Sequence, residues 1–140
     1  MNPGNSLVWM LSMIILISCN RDNKEKIQYI NLKLDTSILT QKKTIEGLAT
    51  ECNSVDGQYI EVRGRFYAQF ENVALWDDFG IFPNWRIKFW LDFDRAIDDS
   101  TLQKLSGKMV IIKGKIDAKN HGHLHAYLAT IKNIYFIKED

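Results

Sequence analysis

The sequence is poor in the features that announce a specialised chemistry. Two cysteines among 140 residues cannot build a disulfide-dense scaffold. Lys and Arg number 18 against 17 Asp and Glu, and the net +1 gives no general argument for a surface that seeks nucleic acid or acidic partners. No glycine-rich phosphate loop, Gly-x-Ser-x-Gly elbow or His-Glu-x-x-His pattern occurs, so the common phosphate, acyl-transfer and metalloprotease signatures are missing. There is no repeat and no low-complexity segment. The main apolar run, Leu7 to Ile17 (LVWMLSMIILI), is 11 residues long. As a helix it reaches about 16 Å, roughly half of a bilayer core, so it is too short to span. The length suits one ordinary domain.

What the N-terminus does contain is a short apolar segment that ends at a small residue and a cysteine. Such a segment fits the apolar part of a secretory signal, although the residues ahead of Leu7 (MNPGNS) carry only the α-amino charge. Leu16-Ile17-Ser18-Cys19 resembles the bacterial lipoprotein box. That resemblance implies cleavage before Cys19, lipid on Cys19, and a protein held at a membrane of the bacterial cell envelope, on its periplasmic or outer-surface side. Each buried methylene of an acyl chain contributes about 0.8 kcal/mol, so several chains on one cysteine make a stable anchor. On this reading residues 1–18 are the signal, 19–40 a tether opening with the polar NRDNKEK, and 41–140 the folded domain. Residues 27–34 alternate weakly and are read as an extra strand or an ordered part of the tether.

Beyond the tether the pattern turns to strands. Ile45, Leu48, Ala49 and Cys52 recur at helical spacing and predict a short helix over roughly 41–52, capped by Thr40, with Cys52 a small apolar packing residue. Asp56-Gly57 marks a turn into a strand over 58–68 whose even positions, Ile60, Val62, Gly64, Phe66 and Ala68, face the core. Its odd positions, Tyr59, Glu61, Arg63, Arg65 and Tyr67, face outward. A reversal at Glu71-Asn72 leads into a strand over 73–76, and a third strand runs over 85–93 with Ile87, Phe89, Leu91 and Phe93 inward. A helix over 97–106, capped by Asp98 or Asp99 and stopped by Gly107, precedes a fourth strand over 108–117. A fifth strand is predicted over 124–137.

Five strands with a helix between the third and fourth is the element order of the OB-fold, a partly open five-stranded barrel. Asp56-Gly57-x-x-Ile60-x-Val62-x-Gly64, Gly107-Lys108-x-Val110-x-Ile112-x-Gly114 and Gly122-His123-Leu124 resemble the barrel strands of small exported bacterial OB-like proteins. The fold class expected is therefore all-β with short helices, an OB-fold-like antiparallel barrel. Glycines within its strands would allow the tight coiling that a small barrel needs.

Ten of the 15 aromatic residues beyond Trp9 fall between Phe66 and Phe93. Ligands of OB-folds use the face of the second and third strands and the neighbouring loops. On that resemblance Tyr67, Trp76 and Trp90 become candidate stacking platforms, with Arg63, Arg65 and Lys88 as cations beside them. Phe66, Phe89 and Phe93 belong to the core, while Phe79, Phe82 and Trp85 suit a roof over one end. The function expected is a non-enzymatic binding module for another envelope protein, a peptide or a glycan, with no cofactor. A nucleic-acid-binding domain is the alternative, resting on a stripe of Arg63, Arg65, Lys88, Lys113 and Lys115. A third reading is zinc-dependent hydrolysis at His121, His123 and His125, which share one face if the segment is extended. His121 belongs to a turn, however, and His123 suits a structural hydrogen bond. The pairs Asp77-Asp78 and Asp98-Asp99 sit in loop and cap positions rather than facing one another.

Overall fold

Alternation of apolar residues turns one face of a strand inward, and the strands over Tyr59–Gln69, Lys88–Leu91 and Met109–Asp117 obey it along their whole length. A computed structural model describes residues 37–77, 87–94 and 97–140, and the backbone of 28–30. The predicted lipidation site Cys19 and the aromatic residues Phe79, Phe82 and Trp85 lie outside them. The strands are β1 (Gln28–Ile30), β2 (Gln41–Lys43), β3 (Tyr59–Gln69), β4 (Asn72–Trp76), β5 (Lys88–Leu91), β6 (Met109–Asp117) and β7 (Thr130–Glu139). Helix α1 (Ile45–Glu51) precedes β3, and helix α2 (Asp99–Leu105) lies between β5 and β6.

The pairings close on themselves. β3 pairs with β4, β4 with β5, β5 with β7, β7 with β6, and β6 with β3 again. β2 adds to β3, and β1 to β7. Ile60, Val62, Phe66, Leu75, Phe89, Ile112, Ile131 and Ile137 point into this ring and are fully or almost fully buried. Ile45 and Leu48 of α1 and Leu105 of α2 complete the core. Cys52 packs partly buried against it, as a small apolar residue would.

Two strands, β3 and β7, each serve three neighbours along their length. β3 pairs with β6 from Tyr59 to Arg65 and with β4 from Arg65 to Gln69, so its partners change hands at Gly64 and Arg65. A Cβ at Gly64 would lie 2.7 Å from Leu75 Cγ and 3.0 Å from the Trp76 carbonyl oxygen. The register of β6 against β7 shifts between Lys113 and Lys115, and a Cβ at the intervening Gly114 would lie 2.8 Å from Ile131 and 3.0 Å from the Lys132 carbonyl. Glycine stands at both places because only a bare Cα lets the neighbouring strand come this close.

Several expectations are corrected. The sheet is mixed rather than wholly antiparallel, since β5–β7 and β2–β3 run parallel, and among the described residues β1 and β2 add to the five strands of the ring. The helix predicted over 41–52 begins only at Ile45. Gln41 to Lys43 instead satisfy their backbone by pairing with Ile60 to Val62 on the free edge of β3. Thr44, not Thr40, is the cap, and its Oγ1 accepts from Gly47 N at 3.0 Å. The last strand starts at Thr130, because Leu124 and His125 both hold positive φ in a 3-10 turn over His123–His125. β1 lies within residues 27–34, and of the two readings of that stretch, extra strand or ordered tether, the strand holds for Gln28–Ile30. Asp98 caps α2 as predicted, and hydrogen bonds from Ser100 and Thr101 hold its carboxyl down at about 2.

Closure makes the space at Gly114 costly to fill. Gly114→Val is expected to destabilise the domain by about 2–3 kcal/mol through overpacking, read as a lower denaturant midpoint at unchanged slope. A loss below about 0.5 kcal/mol, the level of an ordinary surface change, would show that the close approach does not hold the ring together.

Candidate functional site

The register of β3, β4 and β5 places the outward residues in rows. Tyr67 lies opposite Ala74, and Ala74 opposite Trp90. In the next row Arg65 lies opposite Trp76, and Trp76 opposite Lys88. Cross-strand partners share a face, so five of the six predicted ligand residues stand together on the outside of the ring. Arg63 is set apart, where β3 runs beside β6, and its guanidinium pairs with the Asp140 carboxylate.

This face carries a second small apolar layer. Ala74 points outward yet is 0% exposed, so neighbouring side chains cover it. Tyr67 packs on Trp76 with ring centres 5.2 Å apart. Tyr127, reaching in from the β6–β7 connection, packs on Trp90 at 5.2 Å and is only 8% exposed. Its hydroxyl donates to Asn72 Oδ1, and the Lys88 ammonium sits 4.8 Å from the centre of its ring. Burial, and then the nearby Tyr67, push the Tyr127 hydroxyl above its ordinary range. Among the described residues, none accepts a hydrogen bond from the buried Trp76 Nε1.

The β6–β7 connection lies directly on Trp90. Gly122 has φ +64°, and a Cβ there would fall 2.5 Å from Trp90 Cβ and 2.6 Å from Cγ. His123 then stacks on the indole at 28° with ring centres 6.4 Å apart, and its Nε2 lies 3.8 Å from Glu71 Oε2. Trp90 is therefore a half-buried ring held on several sides, not an open platform.

The three histidines do not converge. His121 binds back onto the Tyr127 and Leu128 carbonyls, His125 lies near His121, and His123 turns to Trp90 and Glu71. Among the described residues, no group of three or more His, Cys, Asp or Glu side chains is placed to hold a metal ion. The basic stripe is also largely engaged within the protein. Arg63 pairs with Asp140, Arg65 Nη1 donates to the Gly107 carbonyl at 2.6 Å, and Lys113 lies 3.1 Å from Glu61.

Two large apolar residues that the alternation does not single out stand in the turns next to this face, and Phe70 lies beside Val73 and Leu102. Phe70, in the β3–β4 turn, is 94% exposed at φ +54°, and Leu124, in the β6–β7 connection, is 81% exposed at φ +54°. Glu71 and His123, their immediate neighbours, are the pair at 3.8 Å, so the two turns meet. Tyr127 went unread because the sequence places it inside a continuous strand. Phe70 leaves a trace, since a large aromatic residue stands where turn residues are the rule.

Family models, curated proteins and solved structures were each compared with the chain, and none matches it.

Tyr127 ties the loop to the outer face. Tyr127→Ala is expected to cost about 3 kcal/mol, as for other large aromatic truncations, and to make tryptophan emission easier to quench with acrylamide. Tyr127→Phe keeps the ring and should cost about 1 kcal/mol for the lost hydrogen bond. Equal losses in the two variants would place the hydroxyl, rather than the ring, at the centre of the contact.

Proposed function

We propose that this chain is a lipid-anchored protein of the bacterial cell envelope, built on an OB-like barrel that acts as a non-enzymatic binding module. Its binding surface is the outer face of β3, β4 and β5 with the two turns next to it. The partner is another envelope protein, a peptide or a glycan.

The observation that carries this reading is the meeting of the two turns. Each projects a large apolar side chain into water from a left-handed backbone conformation. That conformation costs a non-glycine residue roughly 1–2 kcal/mol, and exposed apolar side chains return nothing to the isolated fold. Strain of this kind in exposed turns fits a contact surface. The position agrees with the ligand face of OB-folds, which uses the second and third strands and the adjoining loops. The cyclic pairing, with α2 between the third and fourth strands of the ring, supports the OB-like reading of the fold. The anchor rests on Leu16-Ile17-Ser18-Cys19 behind its short apolar run. No described helix is long and apolar enough to cross a membrane.

The nucleic-acid alternative is weaker, because Arg63, Arg65 and Lys113 are already engaged with Asp140, Gly107 and Glu61. A salt titration of single-stranded DNA binding separates the two readings. Affinity that falls steeply with salt and is lost in Lys88→Ala would favour nucleic acid.

Two experiments test the proposal. Cys19→Ala should move the protein from the membrane fraction to the soluble one; a variant that stays with lipid, together with wild type lacking acyl mass, ends the anchoring claim. Photo-crosslinkers at positions 70 and 124 in the full chain on intact cells should give discrete adducts, while one at the exposed Asn53 beyond α1 should not. Equal labelling from all three positions would remove the surface from consideration.

A further inference from the structure

We propose that His121 and His125 form a two-histidine chelate for a borderline divalent cation of the zinc, nickel or copper class. The site lies in the β6–β7 connection, on either side of Gly122 to Leu124, and its argument does not rest on the binding reading above.

The partners of His121 select its tautomer. Its Nδ1 lies 3.1 Å from the Tyr127 carbonyl oxygen and 3.0 Å from that of Leu128. Carbonyl oxygens only accept, so Nδ1 carries the hydrogen and donates. The neutral ring therefore keeps its lone pair on Nε2. A ring nitrogen donating to a backbone carbonyl while the other faces outward is the arrangement metal-binding histidines use to fix tautomer and orientation.

The backbone brings the second imidazole alongside. Leu124 and His125 take positive φ in succession, at +54° and +53°, which folds the chain back and leaves the two rings 6.3 Å apart at 52°. Two imidazoles sharing a metal at about 2.1 Å have ring centres roughly 5 Å apart. His125 is exposed, so a small side-chain rotation closes that difference. The base of the loop is fixed, since Asn120 Oδ1 accepts from Gly122 N at 2.9 Å and the Asn120 carbonyl accepts from Thr130 Oγ1 at 2.9 Å. His123 stays out of the site, stacked on Trp90 and facing Glu71.

The donor set chooses the metal. Two neutral imidazoles suit zinc, nickel and copper, whereas calcium and magnesium require oxygen ligands. With no third His, Cys, Asp or Glu in place among the described residues, water fills the remaining positions and the affinity is modest. Occupancy would link the start of the connection to its middle and so brace the backbone that lies on Trp90.

Calorimetric titration of the untagged full chain with nickel and with zinc tests the site. One equivalent should bind, with affinity lowered at least tenfold in His125→Ala and in His121→Asn, the latter keeping a donor near the Nδ1 position so that the loop stays closed. His123→Ala should remain within twofold of wild type. Absence of binding, a loss in His123→Ala equal to the others, or a His121→Asn variant that binds like wild type would each overturn the proposal. Circular dichroism of the variants separates loss of ligand from loss of fold.

Discussion

Closure of the sheet is the constraint on which everything else rests. The short strands β1, β2, β4 and β5 leave edge groups to satisfy, and the chain does so by making the long strands β3 and β7 each pair with several neighbours along their length. The change of partner on β3 and the register shift on β6 fall at Gly64 and Gly114, where a Cβ would collide with a neighbouring strand. Once the ring is closed, its interior is narrow enough for single side chains such as Phe66, Phe89 and Ile112 to fill it from facing strands. The two helices then cover what the strands leave open, with Leu48 and Leu105 as their inward anchors.

The closed ring also explains the character of its outer face. Closure brings the β3–β4 turn and the β6–β7 connection to the same place, so Tyr127 lands on Trp90 and donates to Asn72. Ala74 is small enough to serve as the floor beneath larger neighbours. The result is an aromatic layer on the wrong side of a strand for a core, braced by Lys88 over Tyr127. Such a layer stiffens the turns that project Phe70 and Leu124, and stiff projecting apolar groups lose little entropy when a partner covers them.

Much of this was legible in the alternation of β3 and β6. Inward Ile60, Val62 and Phe66, and inward Val110, Ile112 and Ile116, follow from period two alone. The cap at Asp98 follows from its side-chain chemistry. Grouping of Arg65, Tyr67, Trp76, Lys88 and Trp90 on one outer face was legible once the strand order was assumed. Less visible was how far those groups are already used. Arg65 is held by a carbonyl at the end of α2, and Trp90 is overlaid by a loop distant in sequence. The start of α1 was misplaced because Gln41 to Lys43 have no periodic signal and take their strand form from the edge of β3.

By itself, then, the sequence determined the alternating strands β3 and β6, their inward faces and the small residues within them, because alternation and missing side chains act within a few residues. It also carries the short apolar run and cysteine on which the anchoring proposal depends. Only the tertiary structure decided that two of the pairings run parallel, that Tyr127 leaves the strand pattern to cover Trp90, and that His123 turns away from His121 and His125. Those outcomes depend on which distant segments meet. That is set by closing the ring and satisfying every edge at once, a condition no local stretch of residues can express.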